Sequence, residues 1–273
     1  MKFAFLVLYE LRCLKKIENL FKYVIDYYNA DIIICCQELE NTDEKVKLFE
    51  KNKIFQKIYK KKDPKEYFQN SLLYDYKGAN WNNEACLQIY INWNEAANVL
   101  ENYKDKYDYF ILLRTDIDIL FPFPEKEMFE NISKRIYSFD ANYARYWGNY
   151  SSGVFIYKDY IIQYLRKTFD VLKSDELIQN FLNSNAPYLN EEHFCQYCMN
   201  YNNLQFKYIK NINFFFISDN ANSRTTWSTP TKDEKYDGFI KYPQQVNEVF
   251  DNLNLWNQGY QWKYENDCFF LSL

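Results

Sequence analysis

The sequence predicts a single α/β domain built on a central mixed, mostly parallel sheet flanked by helices. Three observations predict it. Apolar runs of strand length recur at Phe3–Tyr9, Asp31–Gln37 and Lys53–Tyr59. The segments between them carry helical spacing or helical charge, and parallel neighbours need such crossovers. Finally, the 273 residues show no internal repeat and no linker, and are enough to bury a large core.

Taken in order, Phe3–Tyr9 is the first strand. It resembles a signal peptide only superficially: the apolar stretch is short, ends at Glu10 and Arg12, and no small-residue cleavage site follows. Leu14, Ile17, Leu20, Phe21, Val24, Ile25 and Tyr28 recur at helical spacing, so Leu14–Tyr28 is expected to be a helix. Asp31–Gln37 carries Ile32-Ile33-Ile34, a continuous apolar run that suits a strand buried on both faces. Thr42–Lys51 is expected to be a short charged helix with Thr42 as its N-cap. Lys53–Tyr59 is the third strand. Residues 60–83 are polar, hold Pro64 and Gly78, and are expected to be irregular. Glu84–Tyr103 is a long helix.

The most informative stretch follows. Tyr107 to Leu120 leads an apolar and aromatic run straight into Arg114 and the pair Asp116-x-Asp118. It reads as one buried strand with the carboxylates at or near its carboxyl end, the edge where open α/β sheets bind ligands. Alternate strand residues share a face, so the two carboxylates converge. Two hard oxygen donors suit Mn²⁺ or Mg²⁺ together with substrate phosphates. The competing reading pairs Arg114 with one of the two.

Phe121-Pro122-Phe123-Pro124 stops that strand. Strands are expected at Ile136–Phe139, Gly153–Tyr157, Gln205–Ile209 and Phe214–Ile217. Helices are expected at Tyr160–Leu172, Asp175–Leu182 and Glu191–Tyr201. Residues 145–152 form an aromatic and polar loop, and the tail from Ser218 reads as mostly irregular.

Composition narrows the function. Aromatics make up 21% of the chain, with 27 Tyr and 23 Phe. With the abundant Lys, Asn and Ile, that composition suits an AT-rich genome, such as that of a large virus. A net charge of −4 gives nucleic acid no basic face. Seven Cys, an odd number, with Cys35-Cys36 inside an apolar run, point to reduced thiols. Cys195-x-x-Cys198 has no second pair, so it predicts no zinc site. No window suits a membrane span. A cytoplasmic location is therefore expected, in the host cytoplasm or a virion if the source is viral. With five Gly there is no G-x-G-x-x-G, P-loop or G-x-S-x-G elbow, which disfavours NAD enzymes, P-loop ATPases and elbow hydrolases.

The order of these features resembles nucleotide-sugar glycosyltransferases of the GT-A type, a Rossmann-like fold. The resemblance is to layout over Met1–Ile217 and to two short motifs. One is Tyr107-Asp108 followed by Arg114-Thr115-Asp116, and the other is the acidic helix start Asn190-Glu191-Glu192-His193-Phe194. It implies a nucleotide-binding half at 1–120, an acceptor half at 121–217 and a C-terminal extension at 218–273. It also implies a hexosyltransferase-type enzyme moving a sugar from a nucleoside-diphosphate sugar, UDP-sugar favoured, to a glycan or glycoprotein.

On that resemblance Asp116 and Asp118 hold the metal against the donor diphosphate, with Asp118 the direct ligand, and Arg114 contacts a phosphate. Tyr9 stacks on the base, Arg12 meets a phosphate and Gln37 reaches the base or ribose. Gln88 and Asn92, four apart on one helix face, bond a sugar or uracil edge together with Asn82. Trp147, Asn149, Tyr150, Ser151 and Ser152 face sugar and acceptor. Glu191 or Glu192 is the general base if the enzyme inverts, and retention remains equally open. His193, the only His, completes the metal site in some such enzymes. Arg224, in a late polar loop with Trp227, is placed to close over the diphosphate as a lid. Each has a plainer reading as helix cap, rim loop or core residue. Two alternatives stand beside the transferase: a haloacid-dehalogenase-like phosphatase, and a non-catalytic sugar- or partner-binding protein derived from a glycosyltransferase.

Overall fold

The structure is a computed structural model. It describes all residues except 9–10, 39–40, 75–82, 140–152, 185–190, 205, 220–229, 233–235 and 244–245, and the side chains of 83–86 and 191–193. The opening strands form where their apolar runs lie: β1 (Phe3–Val7), β2 (Asp31–Gln37) and β3 (Lys53–Tyr59). Between β1 and β2 runs α1, two short α-helical stretches, Ile17–Leu20 and Asp26–Tyr28, on either side of a π-helical stretch, Phe21–Ile25. It ends at Asn29, whose φ of 48° lies in the left-handed region that asparagine tolerates. In α2 (Thr42–Lys47) the cap position falls on Asn41, itself left-handed at φ 61° and without a side-chain cap bond, so Thr42 is the first helical residue and not the N-cap. The polar stretch after β3 contains a one-turn helix, α3 (Lys65–Phe68), entered from Pro64, whose fixed φ suits a helix start. The long α4 (Asn83–Leu100) follows.

The apolar run after α4 does not form one strand. It divides into β4 (Tyr109–Leu113) and β5 (Ile117–Ile119), which belong to different sheets. β4 pairs in parallel with β1 (Phe5 opposite Ile111), β1 with β2 and β2 with β3, giving the order β3-β2-β1-β4. On the far side of β4 the sheet continues through β7 (Gly153–Tyr157) and β6 (Ile136–Phe139), both antiparallel joints, and then through β8 (Phe206–Ile209), parallel to β6. The tail is not irregular. After α8 (Val246–Asn257) comes a hairpin, β12 (Gln261–Glu265) and β13 (Cys268–Ser272), and β13 pairs in parallel with β8. Its turn residues Asn266 and Asp267 both have positive φ, as a two-residue hairpin turn requires. Lys207 and Ser133 bind the turn through Asp267.

Alternation along the buried strands explains their wholly apolar sequences. Phe3, Phe5 and Val7 of β1 join a core with α1, while Ala4, Leu6 and Leu8 join one with α4, α5 (Lys158–Val171) and α7 (Glu191–Tyr201). α6 (Asp175–Asn183), capped by Ser174 on the Leu177 amide, packs on the second of these cores. The result is a mixed nine-stranded sheet, mostly parallel, with helices on both faces. A second, four-stranded antiparallel sheet has the order β10 (Thr231–Lys232), β11 (Phe239–Ile240), β9 (Phe214–Ser218), β5. Among the described residues no helix is long and apolar enough to cross a membrane.

Candidate functional site

β1, β2 and β4 run in the same direction, so their carboxyl ends share one edge. The chain builds outward from β1 to β2 to β3, then returns through α4 to lay β4 on the opposite side of β1. The strand order reverses at the edge between β1 and β4, and α1 after β1 and β5 after β4 pack into the same core there and touch through Asn19 and Asp118. Arg12 and Cys13 leave β1 there, and Arg114-Thr115-Asp116 leave β4.

Asp116 sits between the two sheets. Its carbonyl accepts from the Ile217 amide, so the ladder of β5 and β9 begins at this residue. Its carboxylate, 1% exposed, is bound by two cations. Arg114 donates from Nε to Oδ1 at 2.9 Å and from Nη2 to Oδ2 at 2.7 Å, the bidentate geometry that a guanidinium fork favours. Lys241, which follows β11 and is 5% exposed, donates to Oδ2 at 2.5 Å. Arg114 also lies over the Phe216 ring at 5.3 Å. Burial pushes the Asp116 carboxyl up. The Arg114 charge and hydrogen bonds, then Lys241 and the exposed Arg12, outweigh it and hold the group well below the ordinary carboxylate range. Lys241 is pushed the other way: burial lowers it, Asp116 resists, and Arg114 and Arg12 repel it. The asymmetry follows from one carboxylate among several cations.

Asp118, 2% exposed, has a different environment. Asn19, from the first turn of α1, donates to Oδ1 at 2.6 Å, and Tyr236 donates to Oδ2 at 2.6 Å. Burial, then the bond to Asp118, pushes the Tyr236 phenol far above its ordinary range, so it remains a donor. The Thr115 hydroxyl, next to Asp116 in the chain, is buried with no hydrogen-bond partner among the described residues. On the β1 side Lys15 donates to the Asp219 carbonyl at 2.7 Å and Lys45 to the Leu11 carbonyl at 2.7 Å. Burial, chiefly, pushes the Cys13 thiol up to about 11, and Asp219 and Asp116 add to the effect.

Gln37 and Gln88 lie in an internal chain of amides. The Lys62 amide donates to Gln88 at 3.2 Å, Gln88 to Asn92 at 3.0 Å, and Asn92 to Gln37 at 3.4 Å. All three side chains are buried. The chain ties the end of β2 to α4, and the amides expected to meet a base, ribose or sugar bond one another here. Tyr9, Asn82, Trp147, Asn149, Tyr150, Ser151, Ser152, Arg224 and Trp227 lie outside the described residues. So do the side chains of Glu191, Glu192 and His193, although the backbone of α7 begins at Glu191 as expected.

The metal expected on Asp116 and Asp118 would meet carboxylates that already have partners, and His193, the third ligand expected, has its side chain outside the described residues. Both oxygens of Asp116 already face cations, both oxygens of Asp118 accept hydrogen bonds, and no group of three His, Cys, Asp or Glu able to hold a metal occurs among the described residues. Sequence reasoning missed Asn19, Tyr236 and Lys241. They reach the two aspartates across 99, 118 and 125 positions, and Lys241 follows only two apolar strand residues, Phe239 and Ile240, too short a run to read as a strand.

No family model matches the chain, and no curated protein matches it. Among solved structures, the chain is similar to a candidate nucleotide-diphospho-sugar transferase from Desulfovibrio desulfuricans. The identity is 13% and the TM-score 0.36, over 77% of this chain and 80% of that one. A likeness of that degree carries no argument about this chain.

Proposed function

We propose that the protein is a glycosyltransferase that takes its sugar from a nucleoside diphosphate, UDP favoured, and delivers it to a glycan or glycoprotein hydroxyl. One observation supports the reading: the order β3-β2-β1-β4 brings the chain that leaves β1, with Arg12, and the Arg114–Asp116–Asp118 segment that leaves β4 to one carboxyl edge of the sheet, where open α/β sheets bind ligands. Arginines at such an edge suit phosphate.

In this reading Arg12 and Arg114 meet the diphosphate. As the bond from the sugar C1 to the diphosphate breaks, negative charge gathers on the departing group, and fixed cations oppose its build-up. Asp118, held by Asn19 and Tyr236, orients the donor. A carboxylate at Glu191 or Glu192 takes the acceptor proton if the reaction inverts. A phosphatase would need one aspartate as a nucleophile. Asp116, neutralised by Arg114 and Lys241, is poorly suited to that role.

The test is a thermal-shift panel of UDP, GDP, CDP, dTDP and ADP, followed by sugar transfer from the matching donor to glycan acceptors. A ligand that binds only the folded state raises the melting temperature by mass action. Stabilisation by one nucleotide with turnover of its sugar supports the reading. Stabilisation without turnover moves the protein to the binding class. Release of phosphate from an aryl phosphate, with no response to any nucleotide, moves it to the phosphatases.

A further inference from the structure

Asp118, at 2% exposure, can meet a ligand only if a side chain that covers it moves. Its carboxylate accepts from Asn19 on one oxygen and from Tyr236 on the other, and both donors are neutral. They are held differently. Asn19 belongs to α1, where Leu20 beside it lies in the core. Tyr236 precedes the two-residue strand β11, on a turn in which the Gly238 amide donates to the Tyr236 carbonyl at 3.0 Å. Its half-buried ring rests 5.2 Å from Phe215, the residue opposite Asp118 in the ladder of β5 and β9. The ring also folds over Gly238, where an added Cβ would come within 2.7 Å of Cε1. A turn with so few contacts opens more readily than a helix packed in the core, so Tyr236 is the donor that can leave.

We propose that Tyr236 is a latch on Asp118: its phenol holds the carboxylate oxygen that a sugar hydroxyl of the donor takes over, and it swings out as that hydroxyl binds. A phenol and a sugar hydroxyl are the same kind of donor, so the exchange keeps the buried carboxylate bonded throughout. The proposal rests on the donor reading for its ligand. Tyr236 is a positioning residue, because it acts through Asp118.

The experiment is titration calorimetry of the parent, Tyr236→Phe and Gly238→Ala with nucleoside diphosphates, their sugar conjugates and free monosaccharides, together with hydrogen exchange at the Gly238 amide. Tyr236→Phe removes the phenol, and Gly238→Ala pushes the ring aside while keeping it, so the second decides the matter if the first fails to fold. Both variants are expected to bind a nucleotide-sugar about tenfold more tightly than the parent, the scale of one hydrogen bond to a charged group. The bare nucleoside diphosphate should bind all three alike, and the nucleotide-sugar should speed exchange at Gly238 in the parent. A phenol with only a structural task would leave affinity unchanged or weaken it. The two readings fail separately. Nucleotide-sugar that binds both variants no more tightly than the parent, or that protects Gly238, overturns the latch alone. Monosaccharide that binds Tyr236→Phe more tightly than the parent, while no nucleotide binds any form, removes the donor reading alone. No binding of any of these ligands to any form overturns both.

Discussion

Lys241 donates to the Asp116 oxygen that Arg114 Nη2 also holds, from a position 125 residues further along the chain. The contact joins the end of β11 to the end of β4, and so fastens the small sheet to the large one through a buried charge. Breaking a buried pair from one side leaves its partner uncompensated, at a cost of about 3–5 kcal/mol. Lys241→Met leaves Asp116 its bidentate Arg114, so it is expected to cost less, about 1.5–3 kcal/mol, the scale of one hydrogen bond to a charged group. Urea unfolding of both single variants and of Asp116→Asn with Lys241→Met would check it. A double variant whose loss equals the sum of the singles would deny the coupling.

The same carboxylate sets an acid limb. The folded group titrates well below its unfolded value, so it binds its proton less readily when folded. Its contribution is present above the unfolded value of about 4 and is lost as pH falls toward the folded one. Stability of the parent protein is expected to fall more steeply below about pH 4 than that of Asp116→Asn. Parallel curves from pH 6 to pH 2 would contradict the assignment.

Asn92 is the middle of the amide chain, accepting from Gln88 and donating to Gln37. Asn92→Ala strands a buried group on each side and is expected to cost about 1–3 kcal/mol. Asn92→Leu leaves the same groups unpaired but fills the volume, so it should be little better than alanine. A leucine variant as stable as the parent would show that the chain contributes nothing.

Six cysteines, Cys13, Cys35, Cys36, Cys195, Cys198 and Cys268, are buried thiols outside any disulfide. Burial, chiefly, pushes Cys35 up to about 12 and Cys36 up to about 11, so neither forms appreciable thiolate near neutral pH. Native alkylation at pH 8 followed by peptide mapping should leave all six unlabelled and label them only in denaturant. Rapid native labelling of Cys35 or Cys36 would contradict the packing of β2.

Tyr236 and Asn19 each give one hydrogen bond to Asp118. Tyr236→Phe removes a bond to a buried carboxylate and is expected to cost about 1.5–3 kcal/mol. Because the phenol packs against Phe215 as well, the phenylalanine keeps the ring contact at 5.2 Å and isolates the hydroxyl. An unchanged urea midpoint would mean that Asp118 is held by other groups.

The parallel core was legible in the residues themselves. β2 and β3 begin and end where their apolar runs do, and α7 starts at its acidic pair, because strand and helix periodicities are local properties of a few neighbouring residues. The pairing of Arg114 with a carboxylate two positions on was equally local. The break after Leu113 was not, since an apolar run does not say that its second half will pair with Phe214–Phe216 in another sheet. Nor was the hairpin of β12 and β13, whose pairing with β8 supplies the burial that its short alternating strands lack alone. The partners of the two aspartates were decided only by the tertiary structure. A lysine, a tyrosine and an asparagine about a hundred positions away carry no local mark of their task. Burying them repays its cost only once both sheets have brought the opposite charge or acceptor within reach.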